Sequence, residues 1–190
     1  MQILIVENIP SIVDGIKYKL EQQEHINKVF WSKNDTETYS ILNSENIDLV
    51  ILDLNLDTKN YDIQKFQGLA IAKEIKNRFP EVKILVFTEY IRSELYISLS
   101  QSCNIEGYLD KRNEGEELLH AIETIMNGEP YIDNILKSIL TIGNKLKVTN
   151  REYEVAELIV KGKKYQQIAE ELFISLKTVE SHVANLKKKY

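Results

Sequence analysis

Five polar residues stand where short apolar runs end. Glu7 and Asn8 follow Ile3–Val6, and Asp53 follows Asp48–Leu52. Thr88 follows Val82–Phe87, and Lys111 stands two residues past Ile105–Leu109. If these runs are strands of one open parallel sheet, their carboxyl ends share an edge, and that edge is where such sheets bind ligands. Two acids, an amide, a hydroxyl and an ammonium would then converge. The set suits a hard divalent cation with oxygen ligands, usually Mg2+, beside a carboxylate able to accept a phosphoryl group. Lysine would balance the charge on the phosphoryl oxygens, and threonine would hydrogen-bond one of them. Each residue taken alone reads more simply as a solvated polar group at a strand end; only the joint placement argues for a site.

The elements that must position these residues are legible as alternating patterns over residues 1–127. A further apolar run, Val29–Trp31, completes five. Between the runs lie stretches of helical spacing. Ile9, Ile12, Val13, Ile16 and Leu20 recur at three and four, and Leu69, Ala70, Ala72 and Ile75 stop at Phe79-Pro80, where proline blocks continuation. Leu118, Leu119, Ile122, Ile125 and Met126 close at Gly128. Strands alternating with helices predict a five-stranded, parallel, doubly wound α/β domain with both faces covered. Residues 128–145 read as a linker in which 131–141 form a short amphipathic helix ended by Gly143-Asn144.

Residues 146–190 carry only helical signals. Thr149-Asn150-Arg151-Glu152 has the spacing of a capping box. Val155, Leu158 and Ile159 form a stripe, and Gly162 suits the left-handed position after a helix. A short helix holds Ile168, Ala169 and Leu172, without a polar cap because Lys164 stands at its start. Ser175 then caps a last helix whose Val179, Val183, Leu186 and Tyr190 share one face. Three short helices with a tight turn at Phe173-Ile174-Ser175 predict a helix-turn-helix.

Composition bounds the remaining choices. No run of 18 apolar residues exists, so no membrane span is expected, and the N-terminus lacks the basic and apolar regions of a signal peptide. The single cysteine, Cys103, has no internal disulfide partner and reads as a half-buried residue in a reducing cytoplasm. From Lys145 onward there are nine Lys and one Arg against six acids, net +4; the whole chain is −5, so residues 1–144 carry −9. An acidic front and a basic end suggest nucleic-acid contact through the end, although +4 is also common on a solvated helical surface.

Residues 1–127 resemble a response-regulator receiver domain, a flavodoxin-like fold. The matching residues are Glu7, Asp53 in Leu52-Asp53-Leu54-Asn55, Thr88 in Val86-Phe87-Thr88, and Lys111 in Gly107-Tyr108-Leu109-Asp110-Lys111. The resemblance implies that Asp53 is phosphorylated by a sensor histidine kinase, with Glu7, Asn8, Asp53 and the backbone carbonyl of Asn55 around Mg2+. It also implies that Thr88 and Lys111 hold the phosphoryl group while Tyr108 rotates inward, a local charge change biasing a two-state surface. Four features depart from the family. Asn8 replaces a second acid, Asp57 stands where proline is common, the Asp57–Gln67 connection is long, and Glu89 replaces a small residue after Thr88. Two readings follow. Either Asp57 or Glu89 supplies the missing charge, or the receiver is degenerate and answers to another signal.

Residues 146–190 resemble the LuxR-type helix-turn-helix over about forty positions. Among these are Ile168-Ala169-Glu170-Glu171-Leu172-Phe173-Ile174-Ser175 and Thr178-Val179-Glu180-Ser181-His182-Val183. By that resemblance the last helix enters the major groove of DNA. Glu180 would accept from a cytosine amino group and Ser181 would bond either partner type, with Thr178 on the same outward face. Lys177, His182, Asn185, Lys187 and Lys188 would meet phosphates. The family's module continues for one more helix than the sequence holds before Tyr190. Together the resemblances imply a cytoplasmic transcriptional regulator of a two-component system, a homodimer when active and not an enzyme. A phosphotransfer enzyme would instead show a second acid two residues after Asp53 or a glycine-rich phosphate loop; the sequence has Asn55 and no such loop.

Overall fold

A computed structural model describes the backbone of all residues except 58–61, 63–64, 114, 147–148 and 190, and no side chain at 142–146, 150 or 189. The chain divides into two compact units, Met1–Asp133 and Asn134–Tyr190, each described by itself.

The first unit alternates strands and helices: β1 (Gln2–Val6), α1 (Pro10–Glu21), β2 (Lys28–Ser32), α2 (Asp35–Ser44), β3 (Leu49–Leu52), α3 (Gln67–Arg78), β4 (Lys83–Thr88), α4 (Ser93–Cys103), β5 (Gly107–Asp110), α5 (Glu116–Met126) and β6 (Tyr131–Ile132). The sheet runs β2-β1-β3-β4-β5-β6, and every pairing is parallel. Strand order reverses between β1 and β3, the crevice where open α/β sheets bind ligands. β3 is buried along its whole length, as a strand covered on both faces must be. One side of the core gathers Ile3, Ile5, Ile51, Leu85, Phe87 and Leu109 of the sheet against Val13, Ile16 and Leu20 of α1 and Leu118, Ile122 and Ile125 of α5.

Local chemistry sets where the helices begin. Pro10 stands in the first turn of α1, where its missing N–H costs nothing. Asn34 caps α2 by accepting from the Glu37 N–H at 2.9 Å. Gly68, in the first turn of α3, lies so close to the end of β3 that a Cβ there would stand 2.4 Å from the Asp53 carbonyl oxygen and 2.5 Å from Leu54 Cα. Its N–H donates to the Leu54 carbonyl at 3.0 Å.

Two expectations need correction. Among the described residues the sheet has six strands, not five, because Tyr131–Ile132 pair with β5 instead of opening a helix. The Tyr131 N–H donates to the Glu106 carbonyl at 2.9 Å and the Asp133 N–H to the Tyr108 carbonyl at 2.8 Å. Burial of the Tyr131 ring adds apolar contact that an exposed helical turn would lack. The following helix, α6 (Asn134–Leu146), therefore starts later than expected and runs through Gly143-Asn144. An internal glycine costs a helix only about 1 kcal/mol relative to alanine.

The second unit continues with α7 (Asn150–Val160), α8 (Tyr165–Glu171) and α9 (Leu176–Lys189). Val155, Leu158, Ile168, Ala169, Val179 and Val183 form its core, with Ile159, Leu172 and Ile174 at the margin. The capping box at α7 is closed. The Thr149 hydroxyl accepts from the Glu152 N–H at 3.3 Å, and the Glu152 carboxylate accepts from the Thr149 N–H at 2.7 Å. At α8 the Lys164 side chain has no acceptor to offer, yet the Gln167 side-chain oxygen reaches back to the Lys164 N–H at 2.9 Å. Gly162, at φ 78°, ends α7 as expected. The turn before α9 passes through Phe173 at φ 53° and closes with the Ile174 N–H on the Ala169 carbonyl at 2.9 Å.

Candidate functional site

The reversal of strand order brings Glu7, Asp53 and Lys111 together. The Asp53 N–H donates to the Val6 carbonyl at 2.9 Å, which fixes the end of β3 beside the end of β1. Lys111 Nζ then lies 2.9 Å from Asp53 Oδ2 and 2.5 Å from Glu7 Oε2. The other Glu7 oxygen, Oε1, accepts from the Ile9 N–H at 3.0 Å. All three side chains are buried, at 8% exposure or less. Burial pushes the Asp53 carboxyl above the usual carboxylate range, Lys111 pulls it back and Glu7 raises it further. For Lys111, burial acts downward but the two carboxylates outweigh it, so its ammonium is held above the ordinary lysine value. One ammonium shared by two buried carboxylates leaves this group of three with net charge −1.

Thr88 and Tyr108 are both fully buried beside this group. The Thr88 carbonyl accepts from the Lys111 N–H at 3.1 Å, and its hydroxyl accepts from the Tyr90 N–H at 3.3 Å. The ring of Tyr108, expected to swing inward on activation, is already inside. Its hydroxyl donates to the Tyr90 carbonyl at 2.6 Å, and its ring meets Tyr96 edge-on at 5.9 Å. Burial raises the phenol pKa well above its usual value, so the hydroxyl stays a donor.

Three supporting residues carry no local sequence signal. Tyr90 joins Thr88, Tyr108 and Asn55: its own hydroxyl is 3.3 Å from the Asn55 amide nitrogen, and its ring stacks edge-on with Phe66 at 4.7 Å. Asp110, 1% exposed, receives the Arg112 guanidinium through both carboxylate oxygens. Fully buried Asp133 accepts from the Asn113 amide at 2.7 Å. These contacts shape the loop that carries Lys111.

The oxygen donors fit a small hard cation. Glu7 and Asp53 offer buried carboxylates, and the Asn8 amide oxygen is buried and has no hydrogen-bond partner among the described residues. A buried acceptor without a donor costs roughly 1–3 kcal/mol, which a bound cation would relieve. Among the described residues no three His, Cys, Asp or Glu side chains gather as metal ligands, so a cation here would need the Asn8 amide oxygen beside the two carboxylates. Asp57 and Glu89, the two acids considered as replacements for the missing charge, are both exposed. Part of the Asp57–Gln67 connection lies outside the described residues.

On α9, Val179 and Val183 face the core, and Lys177, Glu180, Ser181, Asn185, Lys187 and Lys188 are exposed. Thr178 and His182 are half-buried. Two hydroxyls already have partners. Thr178 lies 2.8 Å from the Ser175 hydroxyl, and Ser181 donates to the Lys177 carbonyl at 2.9 Å. Tyr190 lies outside the described residues.

Residues 3–123 match the family described as response regulator receiver domain, and residues 146–190 match bacterial regulatory proteins, luxR family. The chain belongs to the response regulators that join a receiver to a LuxR-type DNA-binding domain. Curated relatives of this response regulator include the oxygen regulatory protein NreC of Staphylococcus haemolyticus, 30% identical over all of this chain and 90% of the relative. NreC of Staphylococcus epidermidis is 29% identical over the same shares. Solved structures of Salmonella typhimurium RcsB share the fold, one at 25% identity and TM-score 0.68 over all of this chain and 91% of that one. Similar too are the structure of the RcsB–DNA complex, at TM-score 0.68 and 25% identity over those same shares, and that of two RcsB dimers bound to two parallel DNAs, at TM-score 0.68 and 26% identity over 96% and 87%. No helix among the described residues is long and apolar enough to cross a membrane.

Proposed function

We propose that this response regulator is switched by phosphorylation of Asp53 by a sensor histidine kinase, and that its α9 helix binds DNA as part of a homodimer in the cytoplasm. The observation that carries the first part is the single ammonium of Lys111 shared between Asp53 and Glu7 at the crevice. In the transfer, an Asp53 carboxylate oxygen forms a bond to phosphorus as the phosphorus–nitrogen bond of a kinase phosphohistidine breaks and its imidazole leaves. Lys111 keeps Asp53 ionised and ready to attack, and then pairs with the new phosphoryl oxygens. Glu7, Asp53 and Asn8 side-chain oxygens with the Asn55 carbonyl would hold Mg2+, which supplies neutralising charge to the phosphoryl group. Thr88 offers a hydroxyl to the same group, and the Tyr108–Tyr90 bond reports the change toward α4.

RcsB is seen as dimers on DNA, and this chain's α9 presents Lys177, Lys187 and Lys188 for phosphates with Glu180 and Ser181 for base edges. Incubation with a small-molecule phosphodonor and Mg2+, followed by intact mass measurement, tests the switch. One phosphoryl group is expected on the native protein and none on Asp53→Asn. No gain on either protein would overturn it. A second reading is favoured by Asn8, which leaves the crevice one carboxylate short: a regulator that binds DNA without phosphorylation control. Under that reading DNA affinity is the same for native and Asp53→Asn proteins with phosphodonor present.

A further inference from the structure

Asn8 does something that an acid in its place could not. Its Nδ2 donates to the Leu56 carbonyl at 2.9 Å. Carbonyl oxygens accept only, so this contact fixes the amide with nitrogen toward Leu56 and leaves Oδ1 buried without a donor among the described residues. A carboxylate at position 8 would face the Leu56 carbonyl with a second acceptor. Leu56 follows Asn55, and Leu54 takes the Gly68 N–H, so the start of the β3–α3 connection is held both from α3 and from Asn8.

Charge points the same way. Lys111 already serves both Glu7 and Asp53. A third carboxylate would find no second ammonium in this group and would raise its metal-free charge from −1 to −2. A buried uncompensated charge is the costly case.

We propose that Asn8 is a two-ended positioning residue: its Nδ2 ties down the start of the β3–α3 connection in the metal-free protein, and its Oδ1 is the neutral donor kept for a divalent cation. The second half rests on the metal site proposed above. Asn8 thereby exchanges cation affinity for a site that is formed before the cation arrives. Coordination at Oδ1 would also polarise the amide and strengthen the bond to Leu56, so metal and connection would support each other.

The full chain and its Asn8→Asp and Asn8→Ala variants are to be melted with and without Mg2+, and titrated with Mg2+ while following the fluorescence of Trp31, the only tryptophan. Its indole N–H donates to the Glu7 carbonyl at 2.7 Å, so it reports on the site. Asn8→Asp is expected to melt lower than the native protein without metal and to bind Mg2+ about tenfold more tightly, in line with an added charge on the ligand set. Asn8→Ala is expected to melt lower and to bind Mg2+ more weakly than native. Equal metal-free melting of all three proteins would overturn the tether, and equal Mg2+ affinity would overturn the ligand role while leaving the metal site itself standing. If neither native nor Asn8→Asp protein responds to Mg2+, the metal-site reading fails, and the ligand role of Asn8 fails with it.

Discussion

Replacing Lys111 by methionine removes the one cation that two buried carboxylates share, at 2.9 and 2.5 Å. Methionine keeps most of the volume, so the change is mainly one of charge. Removing one partner of a buried pair costs about 3–5 kcal/mol, a large part of a typical domain stability of about 5–15 kcal/mol. With a urea slope of about 1–3 kcal/mol per molar, the unfolding midpoint should fall by roughly 2 M at neutral pH. The deficit should depend on pH in one direction. Lys111 has a raised folded pKa, so its stabilisation is fully present below the unfolded lysine value near about 10.4 and is constant through neutral and mildly acid pH. Asp53 has a raised folded pKa, so its ionised form costs stability above that pKa and the cost is lost below it. Without Lys111, burial and Glu7 still raise it, opposed by the weaker hydrogen bond to the Asn55 backbone. The deficit of Lys111→Met should therefore shrink as pH falls from about 7 toward about 5, the side on which a raised carboxyl takes up its proton. Urea titrations followed by Trp31 fluorescence at both pH values measure this. A variant within about 1 kcal/mol of native at neutral pH, or a deficit that grows on acidification, would refute the reasoning.

Three further outcomes are expected. Gly68→Ala forces a Cβ against the backbone of Asp53 and Leu54, which cannot swing aside as a side chain would, so it should cost about 1–3 kcal/mol or more and lower the melting temperature by roughly 2–4 °C per kcal/mol. Phosphoryl uptake at Asp53 should slow in the same variant. Thr149→Ala opens the capping box of α7 and should cost about 1 kcal/mol, with Thr149→Ser restoring most of it in denaturant titrations. In binding measurements across a panel of DNA sequences, Glu180→Ala should relax preference at one base pair, whereas Lys188→Ala should weaken all sequences alike and lower the salt dependence; identical behaviour of the two variants would contradict their roles.

Much of the site could be read from local pattern. Apolar runs followed by Glu7, Asp53, Thr88 and Lys111 define strand ends, and in a parallel sheet all such ends lie on one edge. The capping box at Thr149 and the stripe of Val179 and Val183 are equally local, since spacing of three and four fixes which residues share a helix face. Pattern failed at β6. Tyr131-Ile132 are too few for a period to show, and their strand pairing is decided by the free edge of β5.

The sequence by itself determined which chemical groups this protein has at each strand end and which helix face is buried, because both follow from short-range periodicity. Tertiary structure alone decided the partners. Lys111 serves Glu7 across 104 positions of chain, Tyr108 hands its hydroxyl to Tyr90, and Asn8 reaches 48 positions to Leu56. Such contacts depend on strand order and on how closely α3 approaches β3. No local pattern encodes either, because both are set by residues far apart in the chain.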